Sequence, residues 1–236
     1  MKKLYFLLVI AALCFTSTVA SAQFINQGAS NNSTSAEFKS IMNFFDVTYS
    51  PVNFKAIYDD ESETEDLNAI SLNWGQARAI ATTLPLYLHY GFGLQYAWLT
   101  DSEKDDYYDY NYKSTTSFLT AKIPVNLMYS LNIPNTNASV IPYIGLNLQG
   151  HIIGQNKTET EYDGDSETEK VNLFNKDDMD DEQFNRFVVG WQVGAKVALN
   201  KCFIGIAYEG PVTNLYKDGD YKINTNQINI SLGIRF

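Results

Sequence analysis

Apart from its carboxylates, this chain has few side chains able to do chemistry. It carries two histidines, His89 and His151, two cysteines, Cys14 and Cys202, and 27 Asp and Glu against 17 Lys and Arg. A histidine works as a general acid or base, or activates a nucleophile, when a hydroxyl, thiol or carboxylate is held within hydrogen-bond reach. Neither histidine has a Ser or Asp neighbour at a spacing that names such a partner. Two acidic runs, Asp163-Gly164-Asp165-Ser166-Glu167 and Asp177-Asp178-Met179-Asp180-Asp181-Glu182, offer hard oxygens to Ca²⁺ or Mg²⁺. Their glycine is misplaced for an EF-hand loop and no ligand register repeats, so they read as solvated, self-repelling loops. Tyr107-Tyr108-Asp109-Tyr110-Asn111-Tyr112 mixes aromatic and polar groups as adaptable contact loops do. These patterns assign no catalytic, cofactor-binding or metal-ligating residue, and no cofactor.

The elements that would position these groups follow from the rest of the chain. At 236 residues with 45% apolar content it is long enough for one domain with a substantial interior. Residues 1–22 read as an export signal: Lys2 and Lys3 form the positive start, Leu4 to Phe15 the apolar stretch, and Ala20-Ser21-Ala22 a small-residue cleavage site. Cleavage there removes Cys14 and leaves Cys202 alone, so no internal disulfide forms. Alternation with Ile204 and Ile206 makes Cys202 a small apolar surface or packing residue. The net charge of −10 becomes 15 − 27 = −12 without Lys2 and Lys3, which excludes a nucleic-acid binder. After the signal no run of 18 apolar residues occurs, so no helix spans a membrane. Residues 23–42, with Ser30-Asn31-Asn32-Ser33-Thr34-Ser35, are polar and aperiodic and read as a tail.

From residue 43 to 236 the pattern is period two, the signature of strands. The clearest run is Leu84, Leu86, Leu88, Tyr90, Phe92, Leu94, Tyr96 and Trp98. Similar runs fall at 45–49, 70–74, 119–129, 140–152, 187–199, 204–208 and 228–236, giving eight strands. Eight antiparallel strands close into an up-and-down barrel without edges. Of the 27 carboxylates, 24 lie at 59–66, 101–109, 159–182 and 218–220, the gaps after strands 1, 3, 5 and 7, and the alternate gaps hold none. Long acidic loops at one end and short neutral turns at the other are the layout of a transmembrane outer-membrane barrel. Gly75, Gly91, Gly93, Gly145, Gly190, Gly194, Gly205 and Gly233 all fall on the polar face. That suits a crowded lumen, where glycine makes room for long side chains, and not a solvated exterior. Tyr49, Trp74, Trp98, Tyr129 and Tyr208 sit on the apolar face near strand ends, as an interfacial girdle would. Pro124 lacks an N–H inside strand 4, and a bulge is expected there.

An eight-stranded barrel is just wide enough for side chains to fill it. Lys122, Lys196, Arg235 and, at the rim, Arg186 are expected to pair with Asp46 and Glu209 as a plug, so no open pore is expected. His89 and His151 differ by eight residues of height, about 19 Å in tilted strands, and are expected as separate, satisfied lumen histidines.

Leu84-Pro85-Leu86-Tyr87-Leu88-His89-Tyr90 and Lys122-Ile123-Pro124-Val125 resemble strand motifs of PorT-like and OmpX-like small outer-membrane β-barrel proteins. The closing Ile230-Ser231-Leu232-Gly233-Ile234-Arg235-Phe236 is similar to their last strand and to the insertion signal that ends in an aromatic residue. The resemblance implies an outer-membrane location and carries no catalytic residue; one branch is associated with secretion and gliding machinery. The expectation is a monomeric integral outer-membrane barrel with a structural or surface-interaction role. Its termini are periplasmic and its acidic loops extracellular, meeting lipid, lipopolysaccharide or an extracellular partner. The alternatives are an accessory component of a secretion or gliding apparatus, or an enzyme acting on outer-membrane lipid.

Overall fold

The computed structural model describes residues 40–58, 61–81, 84–105, 110–162, 165–175, 184–216 and 221–236. The expected export signal, and the tail as far as residue 39, lie outside these residues. Among the described residues there are ten strands: β1 (Ile41–Tyr58), β2 (Glu61–Ala79), β3 (Leu86–Asp105), β4 (Tyr110–Tyr129), β5 (Leu131–Asn132), β6 (Ala138–Tyr162), β7 (Asp165–Asn172), β8 (Phe187–Leu199), β9 (Cys202–Pro211) and β10 (Tyr221–Arg235). Eight of them form an antiparallel ring in the order β1-β2-β3-β4-β6-β8-β9-β10, and β10 pairs back onto β1 from Phe44↔Arg235 to Tyr58↔Tyr221. Closure leaves no backbone edge within the ring, which a strand structure in lipid requires. β5 and β7 are extra strands on β6.

The alternation in the sequence becomes the two faces of the wall. Phe45, Val47, Tyr49, Ile70, Leu72, Phe92, Leu94, Val125, Leu127, Ile144, Leu146, Val193, Ile204, Ile230 and Leu232 all point outward and are exposed. Their neighbours Asp46, Thr48, Ser71, Gln95, Lys122, Asn147, Lys196, Glu209 and Ser231 point inward and are buried. An exposed apolar exterior around a buried polar interior is inverted relative to a water-soluble protein, so the exterior is a lipid-facing belt. At its upper margin Tyr49 Oη donates to Asn68 Oδ1 at 2.5 Å and Tyr208 Oη to Asn226 Oδ1 at 2.9 Å. Tyr96 stacks on Trp98 there, with ring centroids 5.7 Å apart.

The ring's two ends differ. One end has short connections and holds residue 40 and Phe236; Asn135 and Asn200 adopt the left-handed conformation there (φ 61° and 54°) that tight turns need and Asn tolerates. At the other, the hairpin end, the strands run on past the belt. The acidic segments expected as loops are largely strand there: 61–66, 101–105, 159–162 and 165–169 are all paired. Charge did not prevent this, because most of these acidic residues alternate with Ser, Thr or Lys, which spaces them along the strand.

Two further expectations are corrected. β1 begins at Ile41, two residues early, and the Met42 side chain is buried in the lumen. Pro124 causes no bulge: the β3–β4 ladder skips from Tyr90↔Val125 to Gly93↔Lys122 with register unchanged, so only bonding is lost. The irregularity in β4–β6 falls at Leu119/Thr120 instead, where Leu119 faces Ile153 and Thr120 faces His151. That bulge inserts Ile152 and reverses the facing of β6 beyond it.

Candidate functional site

The lumen is built in three layers. Nearest the chain ends, Met42, Phe44, Tyr87, Met128, Ile141 and Phe203 form an apolar layer. Toward the hairpin end, Val52, Leu67, Ala69, Ala97, Phe118 and Phe174 form a second. Between them lies the polar layer, where the expected charge pairing is found. Lys122 Nζ meets the Glu209 carboxylate at 3.3 Å and Lys196 Nζ meets Asp46 at 3.4 Å. Burial of such charges is tolerable only when their remaining bonds are satisfied, and here they are. Glu209 also accepts from Gln149 at 2.5 Å, Gln227 at 2.7 Å and Asn229 at 3.3 Å. Asp46 accepts from Thr48 at 2.9 Å and Asn73 at 2.8 Å, and the Lys196 ammonium lies over the rings of Phe44 and Phe203 at 4.8 and 4.4 Å. A cavity of about 80 Å³ lies among these groups; Asn147, whose buried Oδ1 has no protein partner, lines it, and a few waters would fit.

Several glycines are what make this filling possible. A Cβ on Gly75 would collide with the His89 ring, and on Gly233 with Asp46 and Phe203. Arg235 and Arg186 sit outside the polar layer. Arg235 donates to Asn200 O at 2.8 Å and Ser139 Oγ at 2.6 Å at the turn end. Arg186 donates to Ile152 O at 3.3 Å and covers the Phe174 ring at 4.5 Å near the hairpin end.

The histidines occupy different layers. His89 pairs with Asn126 at 3.1 Å and meets Phe44 edge-on, whereas His151 pairs with Thr120 at 2.8 Å and stacks on Phe174. They line different cavities, so they do not share a site. Among the described residues no group of three or more His, Cys, Asp or Glu could hold a metal. Asp163, Gly164 and 177–182 of the acidic runs, and 107–109 of the tyrosine cluster, lie outside the described residues. Cys202 is free and exposed at the start of β9.

Beyond the girdle the sequence hid a second pattern. Register through the ladders puts Glu63, Glu65, Asp101, Glu103, Asp165, Glu167 and Glu169 on the face that continues the lumen, with Tyr112 among them and, among the described residues, no Lys or Arg on that face of these strand extensions. Lys55, Lys104, Lys113, Lys157, Lys170 and Lys222 all stand on the opposite face, which continues the lipid-facing belt. Only Asp66, Glu159 and Glu161 accompany them, and Lys157 pairs with Glu159, whose carboxyl is held below its usual range by that hydrogen bond and charge. The signal was present in Thr158-Glu159-Thr160-Glu161 and Ser166-Glu167-Thr168-Glu169, period-two runs without apolar residues; the β6 bulge, invisible in the sequence, decides which face each run presents.

A closed ring of eight strands with a lipid-facing belt and a side-chain-filled lumen defines a transmembrane β-barrel. The chain belongs to the outer membrane protein beta-barrel domain family, whose model matches residues 9–236, and it is thereby an outer-membrane protein. Among solved structures it is similar to the attachment invasion locus protein Ail of Yersinia pestis. Identity there is 12% over 84% of this chain and 100% of that one, with a TM-score of 0.35. It is also similar to Neisserial surface protein A, at 15% identity over 81% and 97% of the two chains, TM-score 0.33. The N-terminal β-barrel domain of Pseudomonas aeruginosa OprF matches at 12% identity over 81% and 97%, TM-score 0.28. No curated protein matches.

Proposed function

We propose that this is a closed, non-enzymatic barrel of the outer membrane whose work is contact at the cell surface. Residues 1–22 are its export signal, 23–40 a tail that runs into β1, and 41–236 the barrel. Its termini are periplasmic and its hairpin end extracellular. The observation that carries this reading is the division of labour along the wall. The lumen is packed with paired charges between two apolar layers, while the strands continue beyond the belt into a sheet with an acidic, Tyr-bearing face. Such a face suits a cationic extracellular partner, by charge complementarity that speeds encounter and selects against anionic ones.

Intact cells treated with a membrane-impermeant amine reagent test the orientation. Lys113 is expected to react before lysis, and its protection until lysis would reverse the orientation. The same cells titrated with a fluorescent oligolysine peptide are expected to bind it, weakly at high salt. Unchanged binding by Glu167→Gln/Glu169→Gln would remove the acidic face from the reading.

A further inference from the structure

The wall has a notch. β8 pairs with β6 only as far as Gly150↔Phe187, and β7 takes over β6 from Gln155↔Asn172. Among the described residues the bulged segment of β6 between them has no strand on that side; only His151 N–H, donating to Arg186 O, and Gly154 O, accepting from Leu173 N–H, tie it to the flanking backbone, and a cavity of about 190 Å³ opens there. Its lining is chemically two-part. Ile152 and Ile153 are both exposed, a consequence of the inserted residue, and continue the lipid-facing belt. Beside them, among the described residues, the lining includes Lys170 and Arg186, with Asn172 and Gln155 as neutral donors, and no carboxylate.

We propose that this notch seats a phosphate of the phosphorylated glycolipid of the outer leaflet, held by Lys170 and Arg186, with an acyl chain along Ile152 and Ile153. The commitment to a membrane lipid follows from continuity: the site opens onto the belt itself, and its cations stand just past the last apolar residues. Lys157 is four residues beyond Ile153, about 10 Å higher in a strand tilted by about 40°. That is the depth of a headgroup, within reach of a lysine that extends along the wall. Arg186 is held in place by the Ile152 carbonyl and the Phe174 ring, so its planar guanidinium is pre-set for a bidentate phosphate contact. The other outward lysines lie on the same face as Lys170 and draw the same anionic surface to it, while the carboxylates of the hairpin sheet are mostly on the opposite face.

This inference rests on the outward-facing hairpin end proposed above, but its test does not. Detergent-folded protein would be titrated with fluorescent bis-phosphorylated lipid A, and with the same lipid dephosphorylated. Expected are saturable binding of the phosphorylated form, at least tenfold weaker binding of the dephosphorylated form, and a similar loss in Lys170→Gln/Arg186→Gln. Lys201→Gln, at the turn between β8 and β9 at the opposite end of the barrel, should bind as the parent does. Equal affinity of parent and double variant, or indifference to the phosphates, would overturn the proposal. Heat-modifiable gel mobility checks that the variant is folded. If it is not, raising salt to about 0.5 M on the parent decides, because a phosphate contact at this exposure must weaken and an acyl-only contact must not. Cell labelling that reversed the orientation with lipid A binding intact would overturn the leaflet assignment and leave the site.

Discussion

At the scale of residues, Glu209 is the hinge of the polar layer. Its carboxylate meets Lys122 and accepts from Gln149, Gln227 and Asn229, so removing it strands an ammonium and three amides. Glu209→Leu is expected to cost about 3–5 kcal/mol, the range for breaking a buried pair from one side. Lys122→Met/Glu209→Leu is expected to recover the part due to the unpaired ammonium, because two apolar side chains leave no buried charge, while the three amides still lack their acceptor. Urea unfolding in lipid vesicles, followed by tryptophan fluorescence, reads both, and a double variant as weak as the single would mean that the pair itself is indispensable. The pairing was legible in the sequence because Lys122, Lys196, Asp46 and Glu209 all stand on the polar face of their strands, next to members of the apolar set. Which cation meets which anion was not, since it depends on shear between strands far apart in the chain.

At the scale of elements, the main disagreement between sequence and structure lies at the hairpin end. The belt strands were readable because each outward position between residues 45 and 49, or 88 and 98, is apolar. The continuations were not, because alternating Glu with Thr resembles a solvated loop in composition while remaining a strand in period. The distinction is testable by register. In a Cys202→Ser background, Ser114→Cys/Thr158→Cys places two thiols directly opposite across β4 and β6, where Cβ atoms are about 4.5–5.5 Å apart. Oxidation is expected to link them rapidly, with Ser114→Cys/Glu159→Cys, one residue away and on the other face, linking slowly or not at all. Comparable rates for the two pairs would mean that these segments are loops after all. Pro124 teaches the converse: a missing donor in a ladder fixed on both sides costs hydrogen bonds without shifting register, so its expected bulge does not form.

For the whole molecule, the sequence anticipated a polar lumen, whereas the lumen is polar only in its middle. Phe44, Met128, Ile141 and Phe203 close one end and Phe118 and Phe174 the other. A narrow barrel must be filled to crystal-like density whatever the polarity of its filling, and inward apolar residues near strand ends do not announce themselves against an apolar belt. The architecture is therefore two dry seals in series around an ion-paired centre, and this makes an unusual prediction for conductance. Phe44→Ala/Phe203→Ala opens one seal and removes two of the three rings lying over Lys196. It is expected to cost about 3–5 kcal/mol per truncation yet leave planar bilayers silent, because the second seal still interrupts any water path. Adding Phe118→Ala/Phe174→Ala is expected to produce small, discrete current steps. If the first pair alone conducts, the hairpin-end layer is not a seal; if all four leave the bilayer silent, the Lys122–Glu209 and Lys196–Asp46 network is itself the barrier.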